Sequence, residues 1–247
     1  MALTDKLSAI GNAIRAKTGG TDMLTLEQMP TAISGIQSDG GLWSDEDIAK
    51  MVQGQLVTLT LPSGLTKIAN YAFYHKNTII IPNLPEGITS IGDSSFRGCD
   101  RLTFTSLPST VTEIADYAFQ SCSELALTSL PEGVTSIGLF AFNGCKKIAL
   151  TSLPEGITDI KSSTFHDCNN LALTSLPAGI TSIGDFAFYN CSSLISITFN
   201  STPSSIGLNA FGNCTNLTDI YVPWAEGAVA NAPWGATNAT IHYNTTT

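Results

Sequence analysis

LPEGVTSIGLFAFNGCKKIALTS, residues 130–152, is the stretch whose reading decides the fold, because it returns every 23 residues along most of the chain. Phe73, Phe96, Phe119, Phe142, Phe165, Phe188 and Phe211 form one column at that spacing. Ile68, Ile91, Ile114, Ile137, Ile160, Ile183 and Ile206 form a second. Cys99, Cys122, Cys145, Cys168, Cys191 and Cys214 form a third, with Lys76 in that place in the first repeat. A period of this length, held without drift, marks stacked repeats. The unit is too short for a propeller blade or a helical hairpin, and suits one strand plus one short helical or 3₁₀ turn per coil.

Energetics require the units to stack. One unit carries roughly five or six large apolar side chains, each worth about 1.5–3 kcal/mol when fully buried. Ordering its backbone costs about 1–2 kcal/mol per residue. A lone unit loses, and only a column of neighbours burying one another's faces comes out ahead.

The I-G-x-x-A-F-x-x-C-x-x-[LI] core, clearest in Ile137–Ile148 and Ile183–Leu194, resembles the BspA or Treponema-type leucine-rich repeat. The resemblance spans about Leu56 to Leu217. It lacks the L-x-x-L-x-L-x-x-N signature of the ribonuclease-inhibitor type. The expected fold class is therefore an α/β solenoid. It would be a leucine-rich-repeat-like, right-handed coil of seven 23-residue repeats with parallel strands and short helical or 3₁₀ turns. The family implies a binding surface, mostly on bacterial cell-surface or phage proteins, and no enzyme activity.

Composition narrows the partners. Of 247 residues 43% are apolar and 13% charged, with a net charge of −9 and no Lys/Arg cluster. Phosphate recognition needs concentrated positive charge, so nucleic acid is excluded as an expected partner. No apolar run approaches the ~18–20 residues of a membrane span, and MALTDKLSAIGNAIRAKTGG lacks the apolar core of a secretory signal. The expected location is a phage virion, or the bacterial cytoplasm before assembly, with the bacterial surface as the alternative.

The six cysteines share one repeat position, three residues after the core Phe. There a helical turn would aim both side chains inward. In-register thiols with parallel Cβ vectors bridge poorly, so the reading is a ladder of buried free thiols packing as small hydrophobes. No C-x-x-C or clustered His spacing points to a metal, and no cofactor is implied.

Residues 1–37 read as two short helices. Leu3, Leu7, Ile10 and Ile14 fall at helical spacing before Gly19-Gly20, and Thr25 with Gln28 forms a capping box for the second helix. The segment resembles the amino-terminal module of phage and prophage tail-associated proteins of gut Firmicutes. That implies docking to a tail or baseplate component, or homo-oligomerisation. Residues 38–55 read as a linker and a cap, in which Ser44 opens a short helix carrying Ile48, Met51 and Val52. Residues 56–217 are the solenoid. The main strands are expected in phrases such as Leu125–Pro131, with Leu125 and Leu127 inward and Thr105, Thr128, Thr151 and Thr174 outward. The GVTSIG phrases are read as a second short strand. Residues 218–247 form a C-terminal cap with two tryptophans and a last strand at Ala239–Tyr243. This tail, too, resembles the closing segment of phage-type proteins with these repeats.

No catalytic constellation emerges. His75, His166 and His242 lie in unrelated contexts. His166 shares its position with Tyr74, Arg97, Gln120, Asn143, Tyr189 and Gly212, a mixture that reads as solvent-facing. Asp93, Asp116 and Asp185 align, but Leu139 and Ser162 interrupt them, so no Ca²⁺ ladder is expected. The candidate binding residues are Tyr71, Tyr117, Phe140 and Phe186, which share one column interrupted by Ser94 and Ser163, with Tyr74 and Tyr189 close in register. Together they form an aromatic strip for sugar rings or a partner protein, or else rings that simply cover the turns. The leading expectation is a phage- or prophage-tail-associated protein that binds a bacterial surface glycan or protein. A bacterial adhesin for host protein and a ligand-free structural spacer are the alternatives.

Overall fold

The computed structural model describes residues 56–245. The helical module expected over 1–37 and the linker and cap expected over 38–55 lie outside the described residues. The chain winds through short strands: β1 (Val57–Thr58), β2 (Lys67–Ile68), β3 (Ile79–Ile80), β4 (Ser90–Ile91), β5 (Glu113–Ile114), β6 (Ser136–Ile137), β7 (Asp159–Ile160), β8 (Ser182–Ile183), β9 (Ser196–Thr198), β10 (Ser205–Ile206), β11 (Asp219–Tyr221) and β12 (Thr240–His242). They form sheets ordered β1-β3, β2-β4-β5-β6, β7-β8-β10 and β9-β11-β12. Pairing from β2 to β6 is parallel, each residue facing its repeat equivalent in the next coil, as Ser90 faces Glu113 and Ile91 faces Ile114.

Two expectations are corrected. Among the described residues there is no helix, α or 3₁₀, so these residues form a parallel-strand β-solenoid and not the α/β coil expected of them. The ladder of the middle coils also lies in the GVTSIG phrases, at β4 to β8, whereas the LALTSLP phrases of those coils form no strand. In the middle coils this goes with the burial, although β3 starts a phrase of the same spacing. Leu125, Leu127 and Leu130 all point inward, a spacing of two and then three that breaks the alternation a strand needs. One surplus residue sits where the ladder would run, as in a bulge. Later coils move that residue upstream. Ile197 and Phe199, then Ile220 and Val222, alternate cleanly, and there three-residue strands form.

Inside, the Phe column is a continuous stack. Successive rings from Phe73 to Phe211 lie 5.2–5.6 Å apart and within 3–10° of parallel, the offset-stacked geometry worth about 0.5–1.5 kcal/mol per pair beyond area burial. At the C-terminal end Phe199 packs on Trp224 and Trp234. Both indoles are buried, and β12 adds the last parallel strand to β11.

Candidate functional site

The outer turn of each coil, which carries the Phe and Cys columns, supplies the surface of interest. In Gly138–Cys145 the backbone N–H groups divide by parity. Those of Phe140, Phe142 and Gly144 donate across to the carbonyls of Ser162, Thr164 and His166 in the next coil, at 3.2, 2.9 and 2.8 Å. Those of Ala141, Asn143 and Cys145 donate back to Gly138, Phe140 and Phe142, at 3.4, 3.1 and 3.0 Å. A helix, beyond its first turn, would satisfy its N–H groups within its own coil. Here half of them join the coils instead.

That parity needs two left-handed residues per turn. One column holds His75, Gly98, Ser121, Gly144, Asp167, Asn190 and Asn213, with φ between 53° and 74°. Most are residue types that tolerate this region. Asn190 donates to Asp167 Oδ1 at 2.6 Å and Asn213 to Asn190 Oδ1 at 2.8 Å. The other column holds Tyr71, Ser94, Tyr117, Phe140, Ser163, Phe186 and Asn209, with φ between 50° and 58°. Four bulky aromatic side chains thus occupy a backbone conformation that disfavours them.

The structure places all six candidate aromatics along this turn. Tyr117 and Phe140 stack at 5.1 Å. Tyr71 meets Tyr74 edge-on at 5.9 Å, and Phe186 meets Tyr189 at 5.7 Å. Tyr71 is 49% exposed, while Tyr74, Tyr117, Phe140, Phe186 and Tyr189 are half-buried. The six do not form one unbroken strip. They fall into a group from Tyr71 to Phe140 and a group at Phe186 and Tyr189, separated by buried Ser163.

The mixed column, read from sequence as solvent-facing, is corrected to half-buried, with Gly212 fully buried, and several of its members make contacts between coils. The guanidinium of Arg97 lies 5.6 Å from the ring centres of both Tyr74 and Tyr117. His166 stacks on Tyr189 at 5.0 Å and holds Nδ1 3.1 Å from Asp167 Oδ2. Arg97 is therefore a surface residue that column averaging hid. Its signal was the small Ser94 three positions earlier.

The aligned aspartates serve the backbone. Asp116 Oδ1 accepts from the Leu139 N–H at 2.7 Å, Asp185 Oδ1 from Leu208 at 2.7 Å, and Asn70 Oδ1 from Asp93 at 2.9 Å. Each acceptor lies where a Cβ on Gly138, Gly207 or Gly92 would fall, 2.5–2.6 Å away. Where Ala115 replaces that glycine, Asp93 Oδ1 is left buried without a partner. Among the described residues no group of three His, Cys, Asp or Glu side chains is placed to hold a metal.

The six cysteines are free and buried. Each thiol donates to the carbonyl of the Phe 26 residues earlier, at 2.8–3.1 Å. Burial pushes the Cys99 thiol up to about 12 and the Cys214 thiol to about 11, and raises those of Cys122, Cys145, Cys168 and Cys191 as well. A thiol held protonated is a poor nucleophile and metal ligand.

Parallel coils stacked on a Phe–Cys interior, with side chains of varied type displayed on the outer turn, define a leucine-rich-repeat protein. The chain belongs to the BspA type leucine rich repeat region family, which matches residues 52–172 and 112–226 in six copies. No curated protein matches the chain. Among solved structures it is similar to a leucine rich repeat protein of T. pallidum, at 29% identity over 66% of this chain and 78% of that one, with a TM-score of 0.56. A leucine-rich repeat protein of Bacteroides ovatus is 26% identical over 67% of this chain, with a TM-score of 0.49. The chain spans 55% of that protein's length. A leucine rich cell surface protein of Faecalibacterium prausnitzii is 24% identical over 75% of this chain and 71% of that one, with a TM-score of 0.37.

Proposed function

We propose that this is a phage- or prophage-tail-associated binding protein that recognises a bacterial surface component through the outer turns of its solenoid. Residues 1–37 would attach it to the tail or baseplate. In this reading it acts without catalysis, in the virion or in the bacterial cytoplasm before assembly. The supporting observation is the column of Tyr71, Tyr117, Phe140 and Phe186 at positive φ. A non-glycine residue held there costs on the order of 1–3 kcal/mol and persists where the surroundings, or a use, compensate for it. Ser94, Ser163 and Asn209 hold the same backbone conformation in this column without a ring, so the turn itself does not demand one.

The test is binding of the labelled full chain to a panel of intact bacteria, beside the triple variant Tyr117→Ser, Phe140→Ser, Phe186→Ser. Serine already stands at two positions of that column, so the variant keeps a residue the turn accommodates. Saturable, strain-selective binding that the triple variant loses supports the proposal. Binding to mammalian cells instead points to an adhesin for host protein. Equal binding by both chains removes the ring column from the mechanism, and absence of binding to any cell favours a structural spacer.

A further inference from the structure

Asn143–Gly144 is the only Asn-Gly step in the chain, and it lies in the outer turn of the coil whose core ring is Phe142. In an unfolded chain such a step readily attacks itself, because glycine sets no side chain in the way of its own nitrogen. The fold pins that peptide from both sides. The Asn143 carbonyl accepts from the Ser121 N–H of the coil before, at 2.7 Å. The Gly144 N–H donates to the His166 carbonyl of the coil after, at 2.8 Å. Gln120 Nε2 stands 3.5 Å from Asn143 Oδ1, and both residues of the step are half-buried.

These contacts stop the chemistry at its first atom. Attack requires base to take the proton from Gly144 N, and that proton is committed to a carbonyl that only opening of the coil releases. Once freed, the nitrogen bonds to Asn143 Cγ, the Cγ–Nδ2 bond breaks, and Nδ2 takes up a proton and leaves as ammonia. Water then opens the cyclic imide at either of its carbonyls. One opening leaves an ordinary aspartate. The other leaves isoaspartate, with the main chain running through Cβ and Cγ and so longer by a methylene. Phe142 and Gly144 reach the Thr164 and His166 carbonyls, at 2.9 and 2.8 Å, only at their present separation, so the longer chain loses that register. We propose that Asn143–Gly144 is a self-modification site gated by the stacking of the coils. It is silent in the closed solenoid, and its isoaspartyl product prevents an opened coil from closing again. Asn190 and Asn213 precede Cys191 and Cys214, whose side chains crowd the attacking nitrogen, and they serve as internal controls.

The test holds the full chain at mildly alkaline pH, folded and in urea, beside a peptide of residues 139–147. Conversion is followed residue by residue by peptide mapping and mass spectrometry. Unfolded chain and peptide should convert at Asn143 at similar rates. The folded chain should convert at least about a hundredfold more slowly, since only its open fraction reacts. Gly144→Asn brings in a residue that the same left-handed column already holds at Asn190 and Asn213. It should slow conversion in urea severalfold while the solenoid still folds. Conversion of the folded chain at the peptide's rate would overturn the gating, and conversion at Asn190 as fast as at Asn143 would overturn the assignment of the site. Returned to native buffer, chain carrying isoaspartate should fail to regain the parent's melting transition, whereas Asn143→Asp, with its normal backbone, should show it. Recovery of that transition by the isoaspartyl chain would overturn the block to reclosure. Equal failure of Asn143→Asp would overturn it too, by tracing the defect to charge.

Discussion

Two columns of the same turn hold the same left-handed backbone and are filled by different rules. In the column of Gly98, Gly144, Asp167, Asn190 and Asn213, most side chains suit the conformation, and several bond to one another from coil to coil. In the other column, shared with Ser94, Ser163 and Asn209, the side chains of Tyr71, Tyr117, Phe140 and Phe186 oppose it, Tyr71 exposed and the other three half-buried. The backbone explains the first column and not the second. Residues chosen against their local preference mark a place where another demand prevails.

The first way to sharpen that contrast is against the interior. Phe142→Ala removes a fully buried ring stacked on Phe119 and Phe165. It should destabilise the solenoid by about 3–5 kcal/mol, measured by urea denaturation. A loss no larger than that of a surface ring would deny the interior stack its role.

Next comes the column that the backbone governs. Asn190→Val puts a β-branched residue at φ 60° and removes the amide that bonds Asp167. A cost of about 2–3 kcal/mol is expected. A change near zero would show that the left-handed turn imposes little on its residues.

Alkali probes the buried thiols behind both columns. Their pKa values are raised in the folded state, so the stability they confer is complete below the unfolded value near 8.5. It is lost as pH rises toward the folded values, about 12 for Cys99 and about 11 for Cys214. Each buried thiol should then cost about 1 kcal/mol per pH unit above pH 9. The melting temperature should fall steeply there, and less steeply in Cys145→Ala, Cys168→Ala. A flat profile from pH 8 to 10.5 would contradict the burial.

The smallest effect is expected where binding, not folding, selects the residue. Phe186→Asn brings in a residue that Asn209 already supplies one coil later. It should change stability by about 0.5 kcal/mol or less, because the relief of positive φ offsets the lost edge contact with Tyr189. A loss above about 2 kcal/mol would make Phe186 a structural residue.

Much of this architecture was legible in the repeat. A column seven rings long at constant spacing can face only inward, since no exposed position would stay Phe from Phe73 to Phe211. The choice of ladder was not legible. LALTSLP looks more strand-like than GVTSIG, and its two-then-three burial spacing emerges only when the coils stack. Nor could the turn be told from a helix. F-x-x-C places both side chains inward in either, and what separates them is whether alternate N–H groups find a carbonyl in the same coil or in the next.

The surface divides along the same line. The sequence by itself determined the period, the inward columns of Phe, Ile and Cys, and the low content of Lys and Arg with no run of them, because these follow from composition and spacing along one chain. Only the tertiary structure decided that Tyr117 and Phe140 sit at positive φ, that Arg97 bridges two rings, and that Asp116 and Asp185 cap the next coil. Each depends on atoms brought together from residues a full repeat apart. At that distance coil-to-coil hydrogen bonds, and not local preference, select the backbone conformation.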